Sequence, residues 1–332
     1  MKKVLSMLLC LSMIVTLLAI GATAEGQSAA LKVGLCVAES LGDKGFYDSA
    51  NEGLKQLMND YGVLGSVVEC KADASAYEPA LVEAAEKNDV VIAVGWQFWD
   101  ALTAVVPEIP DTKFIFIDNG LTGVGDNLLS ITYKENQGSF LAGYIAMKLS
   151  KSSVVGVVGG EDSDTINNFV VGYRQGALYA NPQGTVLPAV YTDDYEAPDK
   201  GKEVALSLYS QGADVVFQVA GKTGLGVFEA AAEQGKYAIG VDRDQKDENP
   251  DVVVCSMLKR VGDSIYQAIS QYIDGGVFNG GTIWDADMST GLVDIGYGDD
   301  SMTQQVSDEL KAEVEELKDK IISGEIVVES TR

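Results

Sequence analysis

The sequence predicts an α/β protein of two lobes, each built on a doubly wound parallel sheet, joined by a hinge that the chain crosses several times. Short runs rich in β-branched residues alternate with longer runs of helical periodicity. The short runs are continuously apolar, as strands that helices cover on both faces require. The alternation restarts near residue 139 without a Pro- or Ser-rich linker, which indicates two closely connected units.

The first unit contains four predicted strands, at residues 31–38, 67–70, 89–95 and 113–118. Three predicted helices lie between them, at residues 48–61, 77–87 and 98–106. In the first helix Leu54, Leu57 and Met58 share one face, and that face is expected to pack against the sheet.

The second unit repeats the pattern. Its predicted helices cover residues 139–149, 164–179, 200–211 and 224–234, and its predicted strands cover 153–158, 186–191, 214–219 and 237–241. A strand at 252–255 and a helix at 262–273 join one of the two sheets, and Ser307 is expected to cap an outer amphipathic helix at 308–322.

These patterns suggest a division of the chain into lobes. We assign 31–132 plus about 250–280 to lobe 1, and 133–249 plus about 281–330 to lobe 2. Open parallel sheets bind ligands outside the carboxyl ends of their strands, so a cleft is expected between the two lobes.

Residues 1–24 have the pattern of a signal peptide. Lys2 and Lys3 precede an apolar run at 4–20, and Ala22-Thr23-Ala24 is a small-x-small cleavage site. The protein is therefore expected to be exported to the periplasm, the cell surface or the medium. Cys10 lies inside the apolar run, so no lipidation cysteine is recognisable at the cleavage point. A membrane span is the alternative interpretation of this run.

Composition excludes several function classes. The chain has 24 basic and 49 acidic residues, a formal net charge of −25, so binding through nucleic-acid phosphates is not expected. It has no histidine, which removes Ser-His-Asp triads and imidazole metal sites, and no cofactor or metal is expected. Cys36, Cys70 and Cys255 are expected to be buried thiols, with a Cys36–Cys70 disulfide as the alternative.

Six segments occur in an order that resembles a known family. They are Gly42-Asp43-Lys44-Gly45-Phe46, residues 114–118 (FIFID), 138–144 (GSFLAGY), 219–226 (VAGKTGLG), 239–245 (IGVDRDQ) and 256–260 (SMLKR). Together they resemble the basic membrane protein family of substrate-binding proteins, the nucleoside-binding receptors of ATP-binding cassette (ABC) importers. The resemblance runs from about residue 31 to residue 327.

The resemblance implies a type I periplasmic-binding-protein fold that closes on a nucleoside, with a purine as the expected base, between two aromatic rings. The first ring falls on Phe46 and the second on Tyr195. The candidate ligand-binding residues are Asp43, Phe46, Trp96, Asp118, Tyr195, Gly221, Asp242 and Lys259. Trp96 is included because it lies just after a predicted strand. Ribose contacts are expected chiefly from Asp242, Lys259 and the Gly221 backbone.

Physical chemistry supports these residue types. A nucleobase has two apolar faces, and stacking on an aromatic ring contributes about 1–3 kcal/mol in nucleic-acid binders. Ribose hydroxyls can donate to a carboxylate and accept from an ammonium group. A phosphate would be repelled by a carboxylate-lined pocket in so acidic a protein, so a nucleoside is favoured over a nucleotide.

Each assignment has an alternative. Tyr195 could be a surface tyrosine, Asp118 could cap a turn and Trp96 could be packing. The family's motif is also altered: Gly45 and Tyr47 replace a Ser and an Asn, and its usual Asp after the first strand is replaced around Ala38 and Glu39.

The predicted function is that of a monomeric importer receptor whose partner is a membrane permease. The alternatives are a sensor for a membrane signalling partner and a receptor for another heteroaromatic or sugar-like ligand. Catalysis by Asp43, Asp118 or Asp242 is not expected without a histidine or a metal cluster.

Overall fold

The structure is a computed structural model, and it describes residues 30–331 of the chain. The predicted signal peptide and Cys10 lie outside the described residues. Of the helices in the described part, none is both long enough and apolar enough to cross a membrane.

Strands and helices alternate along the described chain. The strands are β1 (Lys32–Val37), β2 (Leu64–Glu69), β3 (Val90–Val94), β4 (Lys113–Ile117), β5 (Leu128–Tyr133), β6 (Val154–Gly159), β7 (Thr185–Val186), β8 (Val190–Tyr191), β9 (Val215–Val219), β10 (Tyr237–Asp242), β11 (Val253–Lys259), β12 (Thr282–Ala286) and β13 (Val293–Gly296). The helices are α1 (Phe46–Tyr61), α2 (Ala74–Lys87), α3 (Trp99–Val105), α4 (Glu135–Leu149), α5 (Asp164–Ala180), α6 (Pro198–Ser210), α7 (Leu225–Gln234), α8 (Val261–Gly275) and α9 (Asp308–Ile322).

The strands form two sheets. The first has the order β12-β5-β4-β3-β1-β2, and all its neighbouring strands are parallel. The second has the order β13-β11-β10-β9-β6-β7, with β8 also pairing with β6 and with β13 antiparallel to β11. Two α/β lobes with parallel sheets confirm the predicted fold class.

Central strands are buried along their whole length. All five residues of β3 and all five of β9 are buried, because helices cover both faces of each sheet. Cys36, Cys70 and Cys255 are buried free thiols, in agreement with the first of the two predictions for them.

The chain changes sheets three times. It leaves the first sheet after β5, and α4 then packs against α5 beside the second sheet. It returns after β11, where α8 packs against α1 and the Gly262 amide donates to the Ser49 hydroxyl at 3.0 Å. It crosses again between β12 and β13. Three connecting segments of this kind form a hinge.

Two strands lie in a different sheet from the one predicted. Residues of about 250–280 were assigned to lobe 1, but β11 pairs with β10 in the second sheet. Residues after about 281 were assigned to lobe 2, but β12 pairs with β5 in the first. The chain changes lobes at the ends of these strands, and their composition does not mark the change.

The predicted strand at 186–191 is two short strands, β7 and β8. Pro188 lies between them and has no N–H group to donate to a neighbouring strand. The predicted cap of the last helix is present, since the Ser307 hydroxyl accepts from the Leu310 amide at 3.3 Å.

Glycines allow α4 and α5 to pack with their backbones in contact. A Cβ atom added to Gly176 would lie 1.8 Å from the Phe140 carbonyl oxygen, and one added to Gly143 would lie 1.9 Å from the Tyr173 carbonyl oxygen. Neither contact can be relieved by rotating a side chain. The helix that follows the first hinge crossing is thereby held against the second sheet.

Gly176→Ala is therefore expected to destabilise the protein by about 1–3 kcal/mol, because the two helices must move apart. Gly275→Ala is the matched control, since nothing lies within 4 Å of a Cβ atom at that position in α8. Thermal unfolding of both variants measures the difference. A melting temperature for Gly176→Ala equal to that of Gly275→Ala would contradict this account of the packing.

Candidate ligand-binding site

A pocket lies between the two lobes, at the carboxyl ends of their strands. It encloses about 590 Å³ of space, counting its opening to solvent. All eight residues predicted from the sequence line it, namely Asp43, Phe46, Trp96, Asp118, Tyr195, Gly221, Asp242 and Lys259. The lining residues that were not among the predicted site residues include Glu39, Tyr47, Gln97, Thr165, Phe169 and Lys222.

A buried ammonium group lies at one end of the pocket. The Lys259 Nζ atom is 2.7 Å from Asp118 Oδ1, 3.9 Å from Asp242 Oδ1 and 4.0 Å from Glu135 Oε1. Asp118 follows β4 of the first sheet, whereas Asp242 ends β10 of the second and Glu135 begins α4. We call these four residues the Lys259 cluster. The ion pairs of this cluster connect residues of the two lobes.

Aromatic rings surround the same ammonium group. Its Nζ atom lies 4.5 Å from the ring centroid of Phe46, 5.2 Å from that of Phe169 and 5.6 Å from that of Tyr133. A cation within about 6 Å of a ring face is attracted by the ring quadrupole. The rings and the carboxylates together replace the solvation that the Lys259 ammonium group has lost on burial.

The charges of the Lys259 cluster shift its pKa values. Burial lowers the pKa of Lys259, but Asp118, Asp242 and Glu135 more than reverse this, so that the pKa rises above its usual value. Burial raises the pKa of Asp242 to about 7, with Lys259 opposing and neighbouring carboxylates reinforcing the shift. The ammonium therefore stays charged at neutral pH, while Asp242 exchanges a proton in that range.

Two aspartates of the cluster have left-handed backbone conformations. The φ angle is 87° at Asp118 and 66° at Asp242, and each residue stands at the carboxyl end of its strand. Such positions cost about 1–3 kcal/mol each in residues other than glycine, and they concentrate at functional sites. The Oδ1 atom of Asp242 also has no hydrogen-bond partner among the described residues.

The carboxylate of Asp43 holds the loop that presents Phe46. It accepts from the amides of Gly45 at 3.1 Å, Tyr47 at 2.9 Å and Asp48 at 3.1 Å. Burial raises its pKa to about 6, although these amides oppose the shift. The helix predicted at residues 48–61 begins two residues earlier in the structure, so that Phe46 is the first residue of α1. Asp43 thus fixes the helix start at the pocket edge.

Tyr195 is positioned by two glycines of the second lobe. A Cβ atom added to Gly160 would lie 2.0 Å from the Tyr195 ring, and one added to Gly221 would lie 3.5 Å from it. The Thr223 amide donates to the Tyr195 carbonyl oxygen at 3.0 Å. The loop after β8 and the glycine loop after β9 therefore form one unit, in which Gly160 makes room for the ring and Gly221 adopts a left-handed conformation with a φ angle of 54°.

The opposite end of the pocket is formed by Glu39, Trp96 and Gln97, and we call it the Glu39 end. Gln97 Nε2 lies 3.5 Å from Glu39 Oε1. Trp96 Nε1 and Gln97 Oε1 are shielded from solvent and have no hydrogen-bond partner among the described residues. Glu39 and Gln97 come soon after β1 and β3, a position that could have identified them from the sequence.

Within residues 30–331, no group of three or more Cys, Asp and Glu side chains is arranged to hold a metal ion. The carboxylates that converge in the pocket do so on the Lys259 ammonium.

Comparisons with known proteins identify the family. The model for ABC transporter substrate-binding proteins described as PnrA-like matches residues 30–332. Basic membrane protein C of Borreliella burgdorferi is 33% identical over 313 residues, covering 89% of this chain and 87% of that protein. Basic membrane protein A of the same species is 32% identical over 306 residues, covering 91% and 88%.

A solved structure agrees with these relatives. An ABC transporter solute-binding protein from Aeropyrum pernix superimposes with a TM-score of 0.81 at 26% identity, covering 90% of this chain and 92% of that chain. Proteins of this kind are solute receptors that are extracytoplasmic, bind a small molecule and work with a membrane permease. The six sequence segments therefore predicted the relationship correctly, and this chain belongs to the PnrA-like family of ABC transporter substrate-binding proteins.

Proposed function

We propose that this receptor binds a nucleoside, with a purine as the expected base, and delivers it intact to the permease of an ABC importer. The observation that carries the proposal is the combination of two features in one pocket. Phe46 and Tyr195 come from opposite lobes, and the buried Lys259 cluster lies in the same cleft. Because a signal peptide is expected at residues 1–24, export of the protein is also part of the proposal.

The pocket suits a ligand that has a flat part and a hydroxylated part. Its lining combines aromatic side chains with carboxyl and ammonium groups. The two aromatic rings offer stacking surfaces to a heterocycle. The carboxylates of the Lys259 cluster accept hydrogen bonds from hydroxyl groups and its ammonium donates to them, which fits the ribose.

The charge of the site favours an uncharged ligand. Three carboxylates surround one ammonium in the Lys259 cluster, and the whole chain carries −25. A phosphate group would be repelled at this end of the pocket. A nucleoside therefore fits better than a nucleotide.

Ligand binding is proposed to favour the closed arrangement of the lobes. Contacts between the lobes already include a hydrogen bond of 3.0 Å from Gln245 Nε2 to the Lys44 carbonyl oxygen and an ion pair of 3.0 Å between Arg243 and Glu52. A ligand that touches both lobes adds to these contacts only when the cleft is closed, so it shifts the population toward that form. The permease would recognise the closed form.

A ligand panel tests the proposal. Purified protein is titrated calorimetrically with inosine, adenosine, guanosine, uridine, D-ribose and adenosine monophosphate, and its melting temperature is measured with each. Nucleosides are expected to bind and to raise the melting temperature, because they bind only the native state. Binding of D-ribose alone, or of adenosine monophosphate in preference to adenosine, would contradict the proposal.

Removing either ring is expected to weaken nucleoside binding. Phe46→Ala and Tyr195→Ala should each raise the dissociation constant by more than about tenfold. A lost stacking contact costs about 1–3 kcal/mol, and about 1.4 kcal/mol corresponds to a factor of ten. Tyr179→Ala is the control, because Tyr179 is 51% exposed on α5. Calorimetry of the three variants makes the comparison. Unchanged affinity in both pocket variants would rule out clamping of the base by these rings.

Removing a ribose hydroxyl is expected to have a separate effect. A 2′-deoxynucleoside should bind more weakly than the matching ribonucleoside, because a hydroxyl lost from the Lys259 cluster leaves a buried charged group without its hydrogen bond. Competition between inosine and 2′-deoxyinosine measures the ratio. Equal affinities would remove the assignment of Asp242 and Lys259 to this hydroxyl.

A further inference from the structure

The two ends of the pocket are separated by about the length of a nucleoside. Asp118 follows β4 and Glu39 follows β1, and β3 lies between these two strands in the sheet. Strands in a sheet are about 4.8 Å apart, so the two positions are about 10 Å apart. With the ribose at the Lys259 cluster, the Glu39 end faces the far edge of the base. This step rests on the proposed function.

The Glu39 end offers hydrogen-bonding groups that the protein itself leaves unused. Trp96 Nε1 carries a hydrogen to donate and Gln97 Oε1 can accept one. Both residues line the pocket, and neither atom has a hydrogen-bond partner among the described residues. Buried polar groups of this kind are costly unless something pairs with them. Two such atoms on neighbouring residues of the pocket lining indicate a ligand with a polar edge.

Glu39 has a carboxyl group in surroundings that disfavour its ionisation. Its side chain is 5% exposed, and no lysine or arginine within residues 30–331 forms an ion pair with it. The acidic groups that face it are Asp43 from its own lobe and Glu161, Asp194 and Glu196 from the other. Two of these facing acids are themselves paired with lysines, Glu196 with Lys222 at 3.0 Å and Asp194 with Lys200 at 2.8 Å.

The remaining titratable neighbours of Glu39 are tyrosines. They are Tyr47, Tyr77 and Tyr195, and none of them can supply a positive charge. Burial, followed by Glu196 and Glu161, raises the pKa of Glu39 to about 8. At neutral pH the group is therefore mainly a carboxylic acid, which can donate a hydrogen bond as well as accept one.

We infer that Glu39, as a carboxylic acid, and Gln97 together read the edge of the base, and that they select a heterocycle presenting an N–H group next to a hydrogen-bond acceptor. Gln97 Oε1 accepts from the N–H group of the base. The Glu39 hydroxyl and Trp96 Nε1 donate to its acceptors. Gln97 Nε2 donates to Glu39 Oε1 at 3.5 Å, which leaves the amide oxygen of Gln97 available to accept from the ligand. A charged nucleobase or one without an N–H group is discriminated against.

The first arm of the test varies the ligand. Inosine and purine riboside share the ribose and the ring system, but the base of purine riboside has no N–H group. Wild-type protein should bind inosine about fivefold more tightly, the size of one neutral hydrogen bond. Gln97→Met keeps the length of the side chain without its acceptor, so it should remove most of that difference. Equal binding of the two ligands to the wild type would overturn the inference.

The second arm varies the pH, with adenosine as the probe because its base does not titrate between about pH 6.5 and about pH 9. Wild-type affinity should fall about tenfold across this range, since Glu39 loses its proton above about 8 and can no longer donate. Glu39→Gln retains a donor and cannot ionise, so its affinity should fall much less. Asp242 titrates in both proteins, and the comparison cancels its effect.

The control variant is Glu86→Gln, the same change at an exposed position on α2, and it should keep the wild-type pH profile. Identical profiles for Glu39→Gln and wild type would overturn the inference while leaving nucleoside binding intact. If the wild-type protein binds none of the nucleosides, both the proposed function and this inference are overturned. If Glu39→Gln fails to fold, the ligand arm with Gln97→Met still decides.

Discussion

The ion cluster around Lys259 is the interaction on which the pocket depends. A lysine that is 3% exposed keeps its charge only if opposite charges replace the water it has lost. Those charges come from both lobes, because Asp118 follows a strand of the first sheet and Asp242 ends a strand of the second. Lys259 itself ends β11, just before the chain crosses to lobe 1. The hinge and the ligand site therefore share one electrostatic centre.

Stability has been given up locally to build this centre. Asp118 and Asp242 stand in left-handed conformations that glycine would adopt at lower cost. Polar atoms of Asp242, Trp96 and Gln97 lack hydrogen-bond partners among the described residues. Such features persist only when the surrounding structure is rigid, and the buried strands with the close contact of α4 and α5 provide that rigidity. The rigid scaffold therefore holds the strained backbone positions and the unpaired polar atoms of the pocket in place.

The sequence predicted most central strands of the two sheets, but it missed the buried strand β5, whose apolar run is interrupted by Ser130 and Thr132. Strands such as β3 and β9 are buried on both faces, so they leave a continuous apolar run. The edge strand β12 is largely exposed, and its sequence carries no such run. The prediction also assigned β11 to the wrong lobe, because strand pairing depends on where the chain turns at the hinge and not on composition.

The same limit applied to the pocket. Residues in recognisable motifs, such as Phe46 and Lys259, were singled out from the sequence and line the pocket. Glu39 and Gln97 were missed because the sequence does not show that a carboxyl group is buried, or that its charged neighbours are all acidic. That environment decides the chemistry of the Glu39 end. A carboxylate there could only accept and a lysine could only donate, whereas an acid beside an amide does both, as the mixed edge of a nucleobase requires.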